Sequence, residues 1–84
     1  MRPVGDDPEA RATIGGNIRA RRQARGWKLR SLADRAEITV SYLSDLERDR
    51  TTPSLPTLAR LADALDCTTI DLLRGTDPYD APKP

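Results

Sequence analysis

The chain has 84 residues, 37% hydrophobic and 4% aromatic, with no Phe and a single Trp, so one small domain with a core of Leu, Ile and Ala is expected rather than a large sheet sandwich. A single Cys excludes an internal disulfide, no apolar run approaches the roughly 18 residues of a membrane helix, and no signal-peptide pattern opens the chain, which together favour a cytoplasmic protein. Net charge is only +1, yet Arg11, Arg19, Arg21, Arg22, Arg25, Lys28 and Arg30 crowd the stretch from Ala10 to Leu32, which holds no acid. A basic block of that kind is either a solvated helix face or the footprint of a polyanionic partner.

Residues 1–7 have no periodicity and read as a loose lead-in. A first helix is expected from Pro8, with Asp7 as cap and Glu9 in the first turn; Ile14 and Ile18 share one face, and Gly26 stops it. Gly15 and Gly16 should weaken its early turns. Leu29, Leu32, Ala33 and Ala36 have helical spacing and mark a second helix. After the short turn "ITV", a third helix is expected over about 39–48, capped by Thr39, with Leu43 and Leu46 facing inward. "RDRTTP" reads as a loop. Ser54 caps a fourth helix whose stripe is Leu55, Leu58, Leu61, Ala62 and Leu65, with Pro56 in its tolerant first turn. "CTTIDLLRG" supplies a fifth, capped by Thr68 or Thr69 and stopped by Gly75. Residues 76–84 hold three prolines and read as an extended tail. The predicted class is all-α: a compact five-helix domain over residues 8–75.

Two short helices about three residues apart, the second capped by Thr, make a helix-turn-helix pattern. The strings "IGGNIRARRQARGW", "LRSLADRAEITVSYLSDLERDRTTPSL" and "TLARLADALDCTTIDLLRG" stand in order across residues 14–75. In these, the chain resembles the Cro and phage-repressor type of helix-turn-helix domain, the lambda-repressor-like or XRE family. The resemblance implies a DNA-binding domain of a transcriptional regulator whose third helix enters the major groove. It also implies an ion pair between Arg22 and Glu47, which would explain one acid of the third helix as structural. The sequence departs from the family at two turns, where Glu37 and Asp49 stand in place of the usual Gly, and at the start of the second helix, where Lys28 and Leu29 replace Ser or Thr and Gln. A non-Gly residue in the left-handed conformation costs roughly 1 kcal/mol, less for Asp.

At about 100° per residue, Val40, Ser41, Ser44, Asp45 and Arg48 point away from Leu43 and Leu46 and form the candidate base-reading set. Thr39, Tyr42, Arg50, Lys28 and Arg30 are the candidate phosphate contacts. Asp45 is the awkward member, because phosphate repels carboxylate. It either accepts from a cytosine amine, or orients Arg48, or weakens non-specific binding by repulsion. Trp27 is expected to pack between the first two helices, and Cys67 to be a buried, inert thiol.

An enzyme is disfavoured: there is no His, no glycine-rich phosphate loop and no ligand spacing for a metal, and no cofactor is expected. A helical protein-interaction module, or an antitoxin-like partner-binding protein, is the alternative to a regulator. The expected partners are double-stranded DNA, which would place the protein on the nucleoid, and a second copy of the chain. Ile70, Leu72 and Leu73 are the candidate dimer contacts. Neither membrane association nor a small-molecule effector is expected.

Overall fold

A computed structural model describes residues 12–74. They form five helices: α1 (Ile14–Ala24), α2 (Leu29–Ala36), α3 (Val40–Glu47), α4 (Leu55–Ala64) and α5 (Thr69–Leu73). The expected order and all-α class hold. α2 packs on α3 and α4, α1 packs on α3 and α5, and α4 packs on α5. Ile18, Leu32, Ala33, Ala36, Leu43, Leu46, Leu58, Leu61, Ala62, Leu65 and Leu72 form one buried cluster. Ala33, fully buried, is small where the helices cross. No helix among the described residues is long and apolar enough to cross a membrane.

Four helices start on a hydroxyl. The side chains of Thr13, Thr39, Ser54 and Thr68 accept from Gly16, Tyr42, Thr57 and Asp71 amides respectively, each satisfying a donor that the first helical turn leaves open. α2 is the exception, since its cap is Lys28, which makes no such bond. At α5 the cap is reciprocal: the Thr68 backbone amide donates to Asp71 at 3.0 Å, which holds that carboxyl below its ordinary value.

The first helix departs from expectation. The cap at Asp7 lies outside the described residues, but Thr13 is extended and α1 begins at Ile14, so no continuous helix runs from Pro8. Nor is Gly15 a weak point. A Cβ there would sit 2.1 Å from the Leu46 carbonyl oxygen and 2.7 Å from an Asp49 oxygen, so only glycine lets α1 press against the end of α3. Two further expectations fail on α4 and α5. Leu55, placed in the apolar stripe, is 74% exposed, because at the first turn of α4 it lies beyond the reach of the neighbouring helices. Leu72, a candidate dimer contact, is wholly buried in the domain's own core and cannot meet a partner. Leu73 is half-buried against that core, and Ile70 is 68% exposed.

Candidate nucleic-acid interface

The two non-Gly turns adopt the conformation that the family's glycines would supply. Glu37 has φ 61° and Asp49 φ 59°, and a third left-handed residue, Asp66 at φ 57°, ends α4. Arginines finish two of these turns: Arg60 Nε donates to the Ala36 carbonyl at 3.0 Å, and Arg25 Nη2 to the Leu65 carbonyl at 2.9 Å. Such bonds satisfy carbonyls that a helix end leaves open. Part of the basic block is therefore structural.

Arg22 is the clearest case. Its Nε donates to Glu47 Oε2 at 2.7 Å, its Nη2 to Glu47 Oε1 at 2.9 Å, and its Nη1 to the Trp27 carbonyl at 2.7 Å. The pair bridges α1 and α3 with both side chains nearly enclosed, so the guanidinium and carboxylate are held in a two-pronged geometry. Trp27 is half-buried against the core, with the Arg25 and Arg35 guanidinium groups 5.2 Å and 4.3 Å from its ring centre. Cys67 is half-buried, and that burial pushes its thiol above the ordinary value.

Subtracting the structural arginines sharpens the surface. Arg19, Lys28, Arg30 and Arg48 are exposed, and their side chains make no hydrogen bond or ion pair with another described residue. Arg21 acts electrostatically on Asp71 and Cys67, towards α5. A shallow recess of about 130 Å³ is lined by Arg19, Arg22, Leu29, Ser44, Glu47 and Arg48, where α1, the start of α2 and the outer face of α3 converge. Arg19 is a residue that sequence reasoning did not single out for the site; its signal was a position one turn before Arg22 on the same face of α1.

The candidate base-reading residues divide. Ser41 and Arg48 are exposed, Ser44 and Asp45 are half-exposed, and Val40 is half-buried with its side chain packed against the core. Among the candidate phosphate contacts, Lys28, Arg30, Thr39 and Arg50 are exposed. Tyr42 is half-buried on the core. The Thr39 hydroxyl oxygen accepts from the Tyr42 amide at 3.0 Å, which leaves its proton for an outside acceptor. The uncapped start of α2, with Lys28 and Arg30 beside it, leaves backbone N–H groups and a partial positive charge facing outward.

The acids of α3 and the turn after it find different partners. Glu47 is taken by Arg22. Asp49 reaches back to α1, accepting from the Thr13 hydroxyl at 2.7 Å and the Gly15 amide at 3.1 Å. Asp45 lies 3.7 Å from Arg50, not beside Arg48 as one expectation had it. Among the described residues no group of His, Cys, Asp or Glu is placed to hold a metal ion.

Residues 18–73 match the family model described as helix-turn-helix, which covers more than half of the chain. The chain belongs to the helix-turn-helix family of Cro and phage-repressor type. It is 52% identical over 62 residues to the HTH-type transcriptional regulator DdrOP3 of Deinococcus deserti, covering 74% of this chain and 48% of that one. It is 47% identical over 53 residues to the immunity repressor protein of Bacillus phage phi105, covering 63% and 37%. Among solved structures it resembles the biofilm master regulator SinR in complex with DNA (TM-score 0.69, 37% identity, 73% of this chain and 98% of that one). The chain spans half or less of the length of those two curated relatives.

Proposed function

We propose that this protein binds double-stranded DNA sequence-specifically, as a small transcriptional repressor or autoregulator with no catalytic activity and no cofactor. The observation that carries the reading is the surface around α3: an eight-residue helix whose outer face is polar, rimmed by Arg19, Lys28, Arg30 and Arg48, whose side chains have no partner among the described residues. An α-helix with its side chains is about 10–12 Å across, which matches the width of the major groove. Ser41, Ser44, Asp45 and Arg48 then face base edges, with Val40 offering its exposed edge to a thymine methyl. Lys28, Arg30, Thr39 and Arg50 hold phosphates on either side, with Tyr42 at the margin, and the start of α2 adds its free amides. The membership of relatives named as transcriptional regulators and repressors supports the same reading.

One such domain on DNA buries only about 600–1,000 Å² of protein surface, too little for useful discrimination within a genome. Two copies related by a two-fold axis would read an inverted repeat with half-sites about one helical turn apart. Exposed Ile70, with Leu73 beside it, is the proposed contact, and Leu55 adds a second exposed apolar group.

The test is salt-dependent binding to duplex DNA. With about four phosphates engaged per copy, log affinity of a dimer should fall against log salt with a slope of about −7. Lys28→Ala or Arg30→Ala should weaken binding alike on all sequences and flatten the slope by about one per lost contact. A slope near zero on every duplex would reject the DNA reading in favour of a protein partner.

A further inference from the structure

Of the three acids within residues 45–49, the fold consumes two. Glu47 is enclosed with Arg22, and Asp49 is bound by a hydroxyl and an amide at the start of α1, where the helix dipole also favours a negative charge. Asp45 alone remains on the outward face of α3, with its side chain 45% exposed. Its ionic partner, Arg50, is 64% exposed at 3.7 Å. An exposed pair at that distance is weak and readily exchanged. Yet the Arg50 amide donates to the Asp45 carbonyl at 2.9 Å, so the two residues are fastened at the backbone while their side chains are free to part.

We propose, resting on the DNA reading above, that Asp45 and Arg50 form an exchangeable pair that sets sequence specificity. On the correct site Arg50 turns to a phosphate, and the Asp45 carboxylate accepts an N–H from the exocyclic amine of one cytosine. Two interactions replace one. Cytosine is the base that suits a carboxylate, because its major-groove edge offers a donor with no neighbouring acceptor; adenine sets its N7 acceptor beside the amine, and guanine and thymine present acceptors. On a wrong base the carboxylate faces an acceptor between two phosphate strands, and releasing Arg50 leaves it uncompensated. The pair then stays closed and a phosphate contact is lost as well. The same charge that would weaken any DNA binder is thereby cancelled at one sequence only.

The test compares wild type with Asp45→Ala, Arg50→Ala and, as a control that removes one acidic charge from the exposed face of α4, Asp63→Asn. Each is used to select bound sequences from a randomised duplex pool, and each is then titrated against the selected duplex and a random one. The wild-type selection should hold a cytosine at one fixed position of each half-site. Asp45→Ala should lose that preference by about tenfold and bind random duplex about three- to tenfold tighter. Arg50→Ala should weaken both duplexes, the selected one by loss of its phosphate contact and the random one by leaving Asp45 unneutralised, and Asp63→Asn should keep the wild-type preference. An unchanged preference in Asp45→Ala, or an equal loss of affinity on both duplexes, would overturn the pair while leaving the DNA reading intact. A wild-type protein that selects no sequence and binds no duplex defeats the DNA reading itself, and this inference with it.

Discussion

Arg22 shows how one side chain can look like a ligand contact and be part of the frame. All three of its donor nitrogens have acceptors within the domain, two of them on Glu47. Removing the carboxylate strands a guanidinium in an enclosed site, so Glu47→Ala should lower stability by about 2–4 kcal/mol in denaturant unfolding. A midpoint equal to that of wild type would discount the pair. The left-handed residues make a second comparison, in which one substitution has opposite signs at two positions. Glu37 is exposed with φ 61°, and Glu37→Gly should raise stability by up to about 1 kcal/mol by removing the Cβ strain. Asp49 has nearly the same φ, but its carboxylate holds Thr13 and Gly15. Charge-assisted bonds to a helix start outweigh the strain, so Asp49→Gly should lower stability by about 1 kcal/mol. Equal effects at the two turns would show that the bonds to α1 contribute nothing.

At the scale of elements, the junction of α1 and α3 governs how the outward face of α3 is presented. Gly15 lets the two helices touch, Asp49 links the end of one to the start of the other, and Arg22–Glu47 ties them about two turns further along α1. Gly15→Ala would place a methyl group against the Leu46 carbonyl, which is backbone and can yield only if the helices separate. Stability should fall by about 3 kcal/mol, and affinity for the selected duplex should drop even where the protein remains folded, because α3 tilts. Calorimetry and duplex titration on one sample separate the two effects. This junction was half legible in the sequence. The Arg22–Glu47 pair followed from resemblance at a fixed spacing, whereas the Asp49 bonds join residues 34 and 36 positions apart and no local pattern announces them.

For the molecule as a whole, the exposed apolar side chains bear on assembly. Among the described residues, Ile70 and Leu55 are the large hydrophobic residues left in water, at 68% and 74% exposure. Sedimentation on a duplex with two half-sites should find two copies bound. Ile70→Ser should weaken the second binding step by about tenfold, in keeping with losing much of one buried aliphatic side chain. One copy per duplex at saturation would sink the dimer. Leu72→Ser should instead unfold the domain, since Leu72 is wholly buried within a single chain.

Periodicity and capping residues marked α2 to α5, because Leu32, Leu43, Leu46, Leu58 and Leu65 recur at the spacing that lines one helix face, and Thr39, Ser54 and Thr68 are built to cap a first turn. The same spacing also marked the outer face of α3, which follows once the inner face is known. Periodicity could not tell which of Ile70, Leu72 and Leu73 would be enclosed, since burial depends on what α1 and α4 bring against α5. Nor could it start α1 at Ile14 or sort the arginines into frame and rim. Those outcomes rest on contacts between residues far apart in the chain: Arg25 on Leu65, Arg60 on Ala36, Asp49 on Gly15. Helix formation is read from neighbours a turn away, but the fate of a charge is decided by whichever donor or acceptor the packed helices bring within 3 Å or so, and only the tertiary structure supplies that.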